Sequence, residues 1–83
     1  MPLYMDIHTI PDGVAISDVA QAHKADLQKQ GEHDVNYLRY LVDEASGKVF
    51  CLVEAPSPDA AANVHREAHG LVADEIYQVQ EGS

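Results

Sequence analysis

Alternating hydrophobic and polar residues predict the first strand of this chain, Leu3–Thr9. Its two sides differ, with Leu3, Met5 and Ile7 on one and Tyr4, Asp6 and His8 on the other. Val35–Val42 is rich in Val, Leu and Tyr and predicts a second strand. Lys48–Ala55 predicts a third, and the short turn between them indicates a hairpin. Asp74–Gln80 predicts the last strand.

Two segments between these strands carry apolar residues at helical spacing. In the first, Ser17 is a suitable N-cap, and we expect a helix that runs to about Gln30 and is ended by Gly31. In the second, Ser57-Pro58-Asp59 combines a cap, a proline in the first turn and an acidic residue near the positive end of the helix dipole. We expect this second helix to run to about His69.

The resulting order β-α-β-β-α-β predicts an α+β, ferredoxin-like fold for residues 1–83 as one domain, with a four-stranded antiparallel sheet and both helices on one face. The predicted third strand is apolar on both sides, which consist of Val49, Cys51 and Val53 and of Phe50 and Leu52. The helices can cover only one face of the sheet. We therefore expect a homodimer through the open sheet face, which would bury Phe50 and Leu52.

Charge narrows the possible partners. The chain carries 14 acidic and 5 basic residues, a formal net charge of −9 at pH 7. This balance argues against nucleic acid and against anionic membranes, and it favours the attraction of cations. No stretch approaches the roughly 20 apolar residues of a membrane span, and the N-terminus lacks the basic and apolar regions of a signal peptide. Because Cys51 is the lone cysteine, we expect a reduced, cytoplasmic protein.

The clearest candidate for chemistry is the pair His65 and His69. Residues four apart lie one turn above each other on a helix, so the two imidazoles could chelate one divalent metal ion. A metalloprotease H-E-x-x-H motif is excluded, because Arg66 stands where that motif has glutamate. On a helical wheel His65 falls at the flank of the buried stripe and His69 nearer to solvent. Two solvated surface histidines are therefore the alternative.

The remaining histidines allow several interpretations. His23 lies in the apolar stripe of the first helix, where packing is the simpler role and Asp26 a possible partner. His8 shares its side of the first strand with Tyr4 and Asp6, and we expect this side, with Glu54, on the open face. These groups could form an acid–base pocket or a hydrogen-bonded dimer interface. His8 could also meet the end of the second helix and complete a site with its histidines.

Two segments, Val49–Pro56 and Val64–Leu71, resemble a small bacterial family of nickel-binding, ferredoxin-like proteins that was long a domain of unknown function. The likeness extends to Tyr4-Met5-Asp6 with His8 and to Ala22-His23 with Asp26-Leu27. It implies a dimer that binds nickel and sequesters or buffers it. The ligands carried over are His65 and His69 first, then His8 and His23.

We therefore expect a divalent metal-binding protein, with nickel as the metal and zinc or copper not excluded by ligand chemistry. The alternative is a small dimeric α+β barrel enzyme, whose acid–base pocket on the open sheet face would use Asp6, His8 and Glu54. A third hypothesis is a non-catalytic module that uses the scaffold alone.

Overall fold

In the computed structural model, which describes residues 1–82, the chain forms the predicted α+β architecture. The strands are β1 (Leu3–Thr9), β2 (Asn36–Asp43), β3 (Lys48–Glu54) and β4 (Glu75–Gln78), and the helices are α1 (Ile16–Lys29) and α2 (Pro58–Ala68). The strands pair antiparallel in the order β2-β3-β1-β4. This is the ferredoxin-like arrangement, so the predicted fold is confirmed.

The two helices begin differently. Helix α2 starts as predicted, because the Ser57 hydroxyl accepts a hydrogen bond of 3.1 Å from the backbone N–H of Ala60. Helix α1 starts before Ser17, which is not its cap. The backbone N–H of Ile16 instead donates to the carboxylate of Glu44, at 2.8 Å, from the β2–β3 hairpin. Neither of these helices is long and apolar enough to cross a membrane, nor is any other within residues 1–82.

Helix α1 does not end at Gly31 as predicted. After Lys29 the chain tightens into a 3₁₀ turn, Gln30–His33, that includes this glycine. The left-handed conformation that often ends a helix is adopted by Asp34, with a φ of 55°. Asparagine and aspartate tolerate this conformation better than most residues, so the turn can close without glycine there.

Strand β1 turns its polar side towards the helices. Tyr4, Asp6 and His8 are all buried, and their cross-strand neighbours on β3 are Val53, Cys51 and Val49. The prediction that these three β1 residues lie on the open face is therefore wrong. An acid–base pocket there cannot form as expected, because only Glu54 of its predicted members lies on that side.

The open face carries the apolar side of β1. Met5 lies opposite Leu52 and Ile7 lies opposite Phe50 on β3, so these four side chains point away from the helices. Leu41 of β2 and Tyr77 of β4 continue the same surface and are about half exposed. The prediction of an apolar open face is thus confirmed, and residues of β1 contribute to this face together with those of β3.

Candidate metal centre

His65 lies at the centre of a buried polar cluster between the helices and the sheet. Its Nδ1 is 2.9 Å from Oδ1 of Asp26 on α1, and its Nε2 is 2.9 Å from Oδ2 of Asp6 on β1. The residue is 1% exposed, so the expectation that it lies only at the flank of the buried stripe of α2 is wrong. A polar ring can be buried here because each ring nitrogen has a carboxylate partner.

Three further atoms that could bind a metal ion lie near Nε2 of the His65 ring. His8 Nε2 lies 3.3 Å from His65 Nε2 and 3.2 Å from Oδ1 of Asp6. Cys51 faces Asp6 across the β1–β3 ladder and is buried with it. Asp6, His8, Cys51 and His65 each offer one ligand atom, and these atoms all lie within 4.8 Å of one another.

A second group forms on the other side of the same ring, from Asp26, His65 and His69. His69 Nε2 lies 3.1 Å from Oδ1 of Asp26. The structure therefore brings the predicted pair of α2 histidines together, with their ring centroids 5.0 Å apart, and a carboxylate lies between them. His69 Nδ1 accepts a hydrogen bond of 3.1 Å from the backbone N–H of Leu71, so in the neutral ring the proton is on Nε2.

His23 is not a member of either ligand group among the described residues. Its ring is half-buried and lies against Tyr40, with a centroid separation of 4.9 Å. The expected pairing of His23 with Asp26 is wrong, because this carboxylate contacts His65 and His69 of α2 instead.

The charges of the cluster are strongly coupled. Burial alone would lower the pKa of His65, but its hydrogen bonds with Asp26 and Asp6 raise that pKa to about 9. Burial alone would raise the pKa of both carboxyl groups, whereas their hydrogen bonds with the histidines hold each pKa below its usual range. Without a metal, His65 is thus an imidazolium between two carboxylates at neutral pH.

Two neutral groups border these charges. Burial, together with the negative charge of Asp6, raises the pKa of the Tyr37 hydroxyl and of the Cys51 thiol far above their usual ranges. The Tyr37 hydroxyl lies 3.0 Å from Asp6 Oδ2 and 3.0 Å from the carbonyl oxygen of Ala61. It is a donor that holds Asp6 in place from the α2 side.

The donor spacings fit a shared first-row metal ion. Nitrogen or oxygen atoms bound to one ion at about 2.1 Å lie roughly 3.0 Å apart at right angles and roughly 3.4 Å apart in a tetrahedron. His65 Nε2 lies 2.9 Å from Asp6 Oδ2 and 3.3 Å from His8 Nε2, while His8 Nε2 lies 3.2 Å from the other carboxylate oxygen, Asp6 Oδ1. Asp6 Oδ1 is also buried without a hydrogen-bond partner of good geometry. Such an atom is costly unless something else satisfies it.

An apolar cleft opens beside the cluster, between α1 and the sheet, with a cavity volume of about 90 Å³. We name it the α1 cleft. Its apolar lining includes Val14, Val19, Ala22, Val49 and Leu71. Five residues of the cluster also line it, namely His8, Asp26, Cys51, His65 and His69. The α1 cleft gives small solutes a path to otherwise buried groups.

Sequence reasoning missed parts of this centre. The sequence analysis gave Cys51 no metal-binding role, and it named Asp26 only as a possible partner of His23. The useful signal was the i, i+2 pair Asp6 and His8 on one side of β1, placed in register with a cysteine on β3. Tyr37 gives no comparable signal, because its hydroxyl is used only through contacts from other elements.

Comparison with known proteins identifies the family. The family model described as nickel responsive protein, SCO4226-like, matches residues 4–79. The chain belongs to this family. A similar solved structure, that of SCO4226 from Streptomyces coelicolor A3(2), is 37% identical, covers 98% of this chain and 99% of that chain, and has a TM-score of 0.89. No curated protein matches the chain. The predicted resemblance to a small nickel-related family is confirmed.

Proposed function

We propose that this protein binds Ni²⁺ through Asp6, His8, Cys51 and His65 and acts as a nickel store or buffer. The observation that supports it best is the convergence of four buried donor atoms within 4.8 Å. Imidazole, thiolate and carboxylate together suit borderline divalent ions. The family description, nickel responsive, favours nickel among them, while Zn²⁺ and Cu²⁺ share the same ligand preferences.

Asp26 has an orienting role in this proposal. Metal-bound histidines usually donate their second ring N–H to a carboxylate, which fixes the tautomer and the ring plane. The 2.9 Å contact between His65 Nδ1 and Asp26 supports such a role and leaves Nε2 for the ion. His69 would support Asp26 from outside the ligand shell, because its Nδ1 accepts from the backbone N–H of Leu71 and its Nε2 faces Asp26 at 3.1 Å. We place His23 outside the shell as well.

Burial of the four proposed ligands favours retention of the metal ion rather than catalysis. Structural metal sites are closed by protein ligands, whereas catalytic sites keep an open position. Binding must release the proton of His65 Nε2 and the proton of the Cys51 thiol, because only deprotonated groups coordinate. Since the pKa of His65 is about 9 without metal and burial raises the pKa of the Cys51 thiol as well, nickel affinity should keep rising with pH through about 9.

Isothermal titration of untagged protein with Ni²⁺, Zn²⁺ and Cu²⁺ tests the proposal. We expect His8→Ala to weaken Ni²⁺ binding at least about 100-fold and His69→Ala by less than about tenfold. His33→Ala is the matched control, since its ring pairs with Glu67 on the surface. The reverse order for His8 and His69 would favour the α2 chelate, and a parent protein that binds no Ni²⁺ would refute the function.

We also propose that the protein is a homodimer joined through its open sheet face and that it works in the cytoplasm. Six apolar side chains support the dimer, because they form one surface on strands that the helices do not cover: Met5, Ile7, Leu41, Phe50, Leu52 and Tyr77. Leu52 is only 8% exposed and is thus already buried in the single chain, whereas the other five are partly or largely exposed. Contiguous exposed apolar surface of this kind usually marks an interface. The cytoplasmic location remains a prediction from the unpaired cysteine.

A further inference from the structure

We propose that the hydroxyl group of Tyr37 makes Asp6 a single-oxygen ligand, which presents only Oδ1 to the bound metal ion. Tyr37 would thus be a positioning residue that acts through Asp6 and sets the coordination number of the ion. This inference rests on the proposed function, because it concerns the same four ligands. It adds a fifth residue, from β2, and gives the two oxygens of Asp6 different roles.

The two carboxylate oxygens of Asp6 have different surroundings. Oδ2 lies 3.0 Å from the Tyr37 hydroxyl and 2.9 Å from His65 Nε2. Oδ1 lies 3.2 Å from His8 Nε2 and is buried without a hydrogen-bond partner of good geometry. A carboxylate has about four lone-pair sites, two on each oxygen. Those of Oδ2 are engaged by its two neighbours, whereas those of Oδ1 are left for a metal ion.

The fold fixes the position of the Tyr37 hydroxyl. Tyr37 is 2% exposed, its backbone N–H donates to the side chain of Gln30 at 2.8 Å, and its ring lies 4.5 Å from that of His65, centroid to centroid. The hydroxyl oxygen is 3.0 Å from both Asp6 Oδ2 and the carbonyl oxygen of Ala61. A hydroxyl has only one proton to donate. The proton goes to Asp6, because hydrogen bonds to ionised groups are roughly twice as strong as neutral ones.

This arrangement limits the coordination number. A carboxylate can bind a metal ion through one oxygen or through both. With Oδ2 held by Tyr37, the centre offers four ligand atoms, one from each of Asp6, His8, Cys51 and His65. Sets of four such atoms suit tetrahedral or square-planar ions. Removal of the hydroxyl would free Oδ2 to bind as well, and the coordination number would rise to five.

The test compares two tyrosines of β2. Tyr37→Phe keeps the buried ring and removes only the hydroxyl, and Tyr40→Phe makes the same change at a residue whose ring lies against His23 instead. Full-length protein freed of metal with EDTA is titrated with Ni²⁺ and with Co²⁺, whose visible bands are intense in a four-coordinate site and weaken as the coordination number rises. We expect Tyr37→Phe to weaken Ni²⁺ binding about 10- to 100-fold, the usual effect of losing a group that orients a metal ligand. Its Co²⁺ bands should weaken and shift, while Tyr40→Phe keeps the affinity and the spectrum of the parent.

The Co²⁺ spectrum decides the outcome. If Tyr37→Phe shows the parent spectrum, the inference is overturned whatever the affinity, because a merely structural role would lower affinity without changing the coordination number. His8→Ala keeps this inference apart from the proposed function. Loss of Ni²⁺ binding in His8→Ala with no spectral change in Tyr37→Phe would refute the role of Tyr37 alone. A parent protein that binds neither ion would refute both.

Asp6→Asn provides a second test, which also decides the case if Tyr37→Phe does not fold. The amide oxygen can take the place of Oδ1, and the amide nitrogen, in the place of Oδ2, can donate to Tyr37 while Tyr37 donates to Ala61. We expect weaker Ni²⁺ binding, because the ligand is neutral, and parent-like band intensities at saturating Co²⁺. A change in band intensity would mean that Asp6 does not bind through a single oxygen and would overturn the inference.

Discussion

The two sides of strand β1 reverse the usual distribution of side chains. On β1, the residues covered by the helices are Tyr4, Asp6 and His8, while the apolar Met5 and Ile7 point to the open side. A sheet covered on one face normally buries its apolar residues and exposes its polar ones. On β1 the polar side is inside and the apolar side is outside, whereas the covered side of β3 is apolar.

The reversal indicates that each face has a purpose beyond folding. A buried ion cluster usually contributes less stability than apolar residues of similar volume would, because its charges lose their hydration. An open apolar face adds nothing to the stability of the single domain. This reversal supports our proposals of a ligand on the covered face and a partner on the open face.

The largest effect should come from the covered face. His65→Ala removes the positive charge between Asp6 and Asp26 and leaves two buried carboxylates without the cation that they share. We expect the free energy of unfolding to fall by roughly 3–5 kcal/mol, measured by urea denaturation in EDTA. His33→Ala, which breaks a more exposed pair with Glu67, should cost less than about 1 kcal/mol. If the two variants lose equal free energy of unfolding, the buried cluster contributes no more to stability than the exposed pair does.

A charge introduced on the open face should change the oligomeric state rather than prevent folding. Phe50→Asp places a charge within the proposed interface, where an unpaired carboxylate loses its hydration. We expect a monomer in light scattering at concentrations where the parent is a dimer, with a melting temperature that no longer depends on concentration. Gln21→Asp adds the same side chain on the exposed surface of α1 and should leave the dimer intact. A parent protein that is monomeric at micromolar concentration would refute the interface.

A third test uses pH to examine the covered face alone. The pKa of His65 is about 9 in the folded protein and about 6.5 when unfolded, so the folded state binds the extra proton between these values. Its contribution to stability should be complete below about pH 6.5 and disappear as pH rises through about 9. We expect a decrease on the order of 2–3 kcal/mol over this range in metal-free protein. In His65→Gln the decrease should vanish, and a decrease that persists would assign it to another group.

The comparison of the two faces also explains what the sequence could reveal. Local signals placed β1 at Leu3–Thr9 and the start of α2 at Ser57, because alternation and capping depend on neighbours along the chain. Alternation shows that a strand has two sides but does not say which one the helices cover. Burial of His65 depends on Asp26 and Asp6, which are 39 and 59 residues away in sequence. Contacts of that kind have no local pattern.

The smallest effect should come from His23, the covered-side histidine outside both ligand groups. Its ring packs on Tyr40 and is half-buried, so His23→Ala removes packing without unpairing a charge. We expect a loss of roughly 1 kcal/mol, which in a domain of this size lowers the melting temperature by about 4–8 °C. Nickel stoichiometry from titration should stay that of the parent. A normal melting temperature with lost nickel would instead make His23 a ligand, and the covered face would then hold a larger metal centre than the four donors around Asp6.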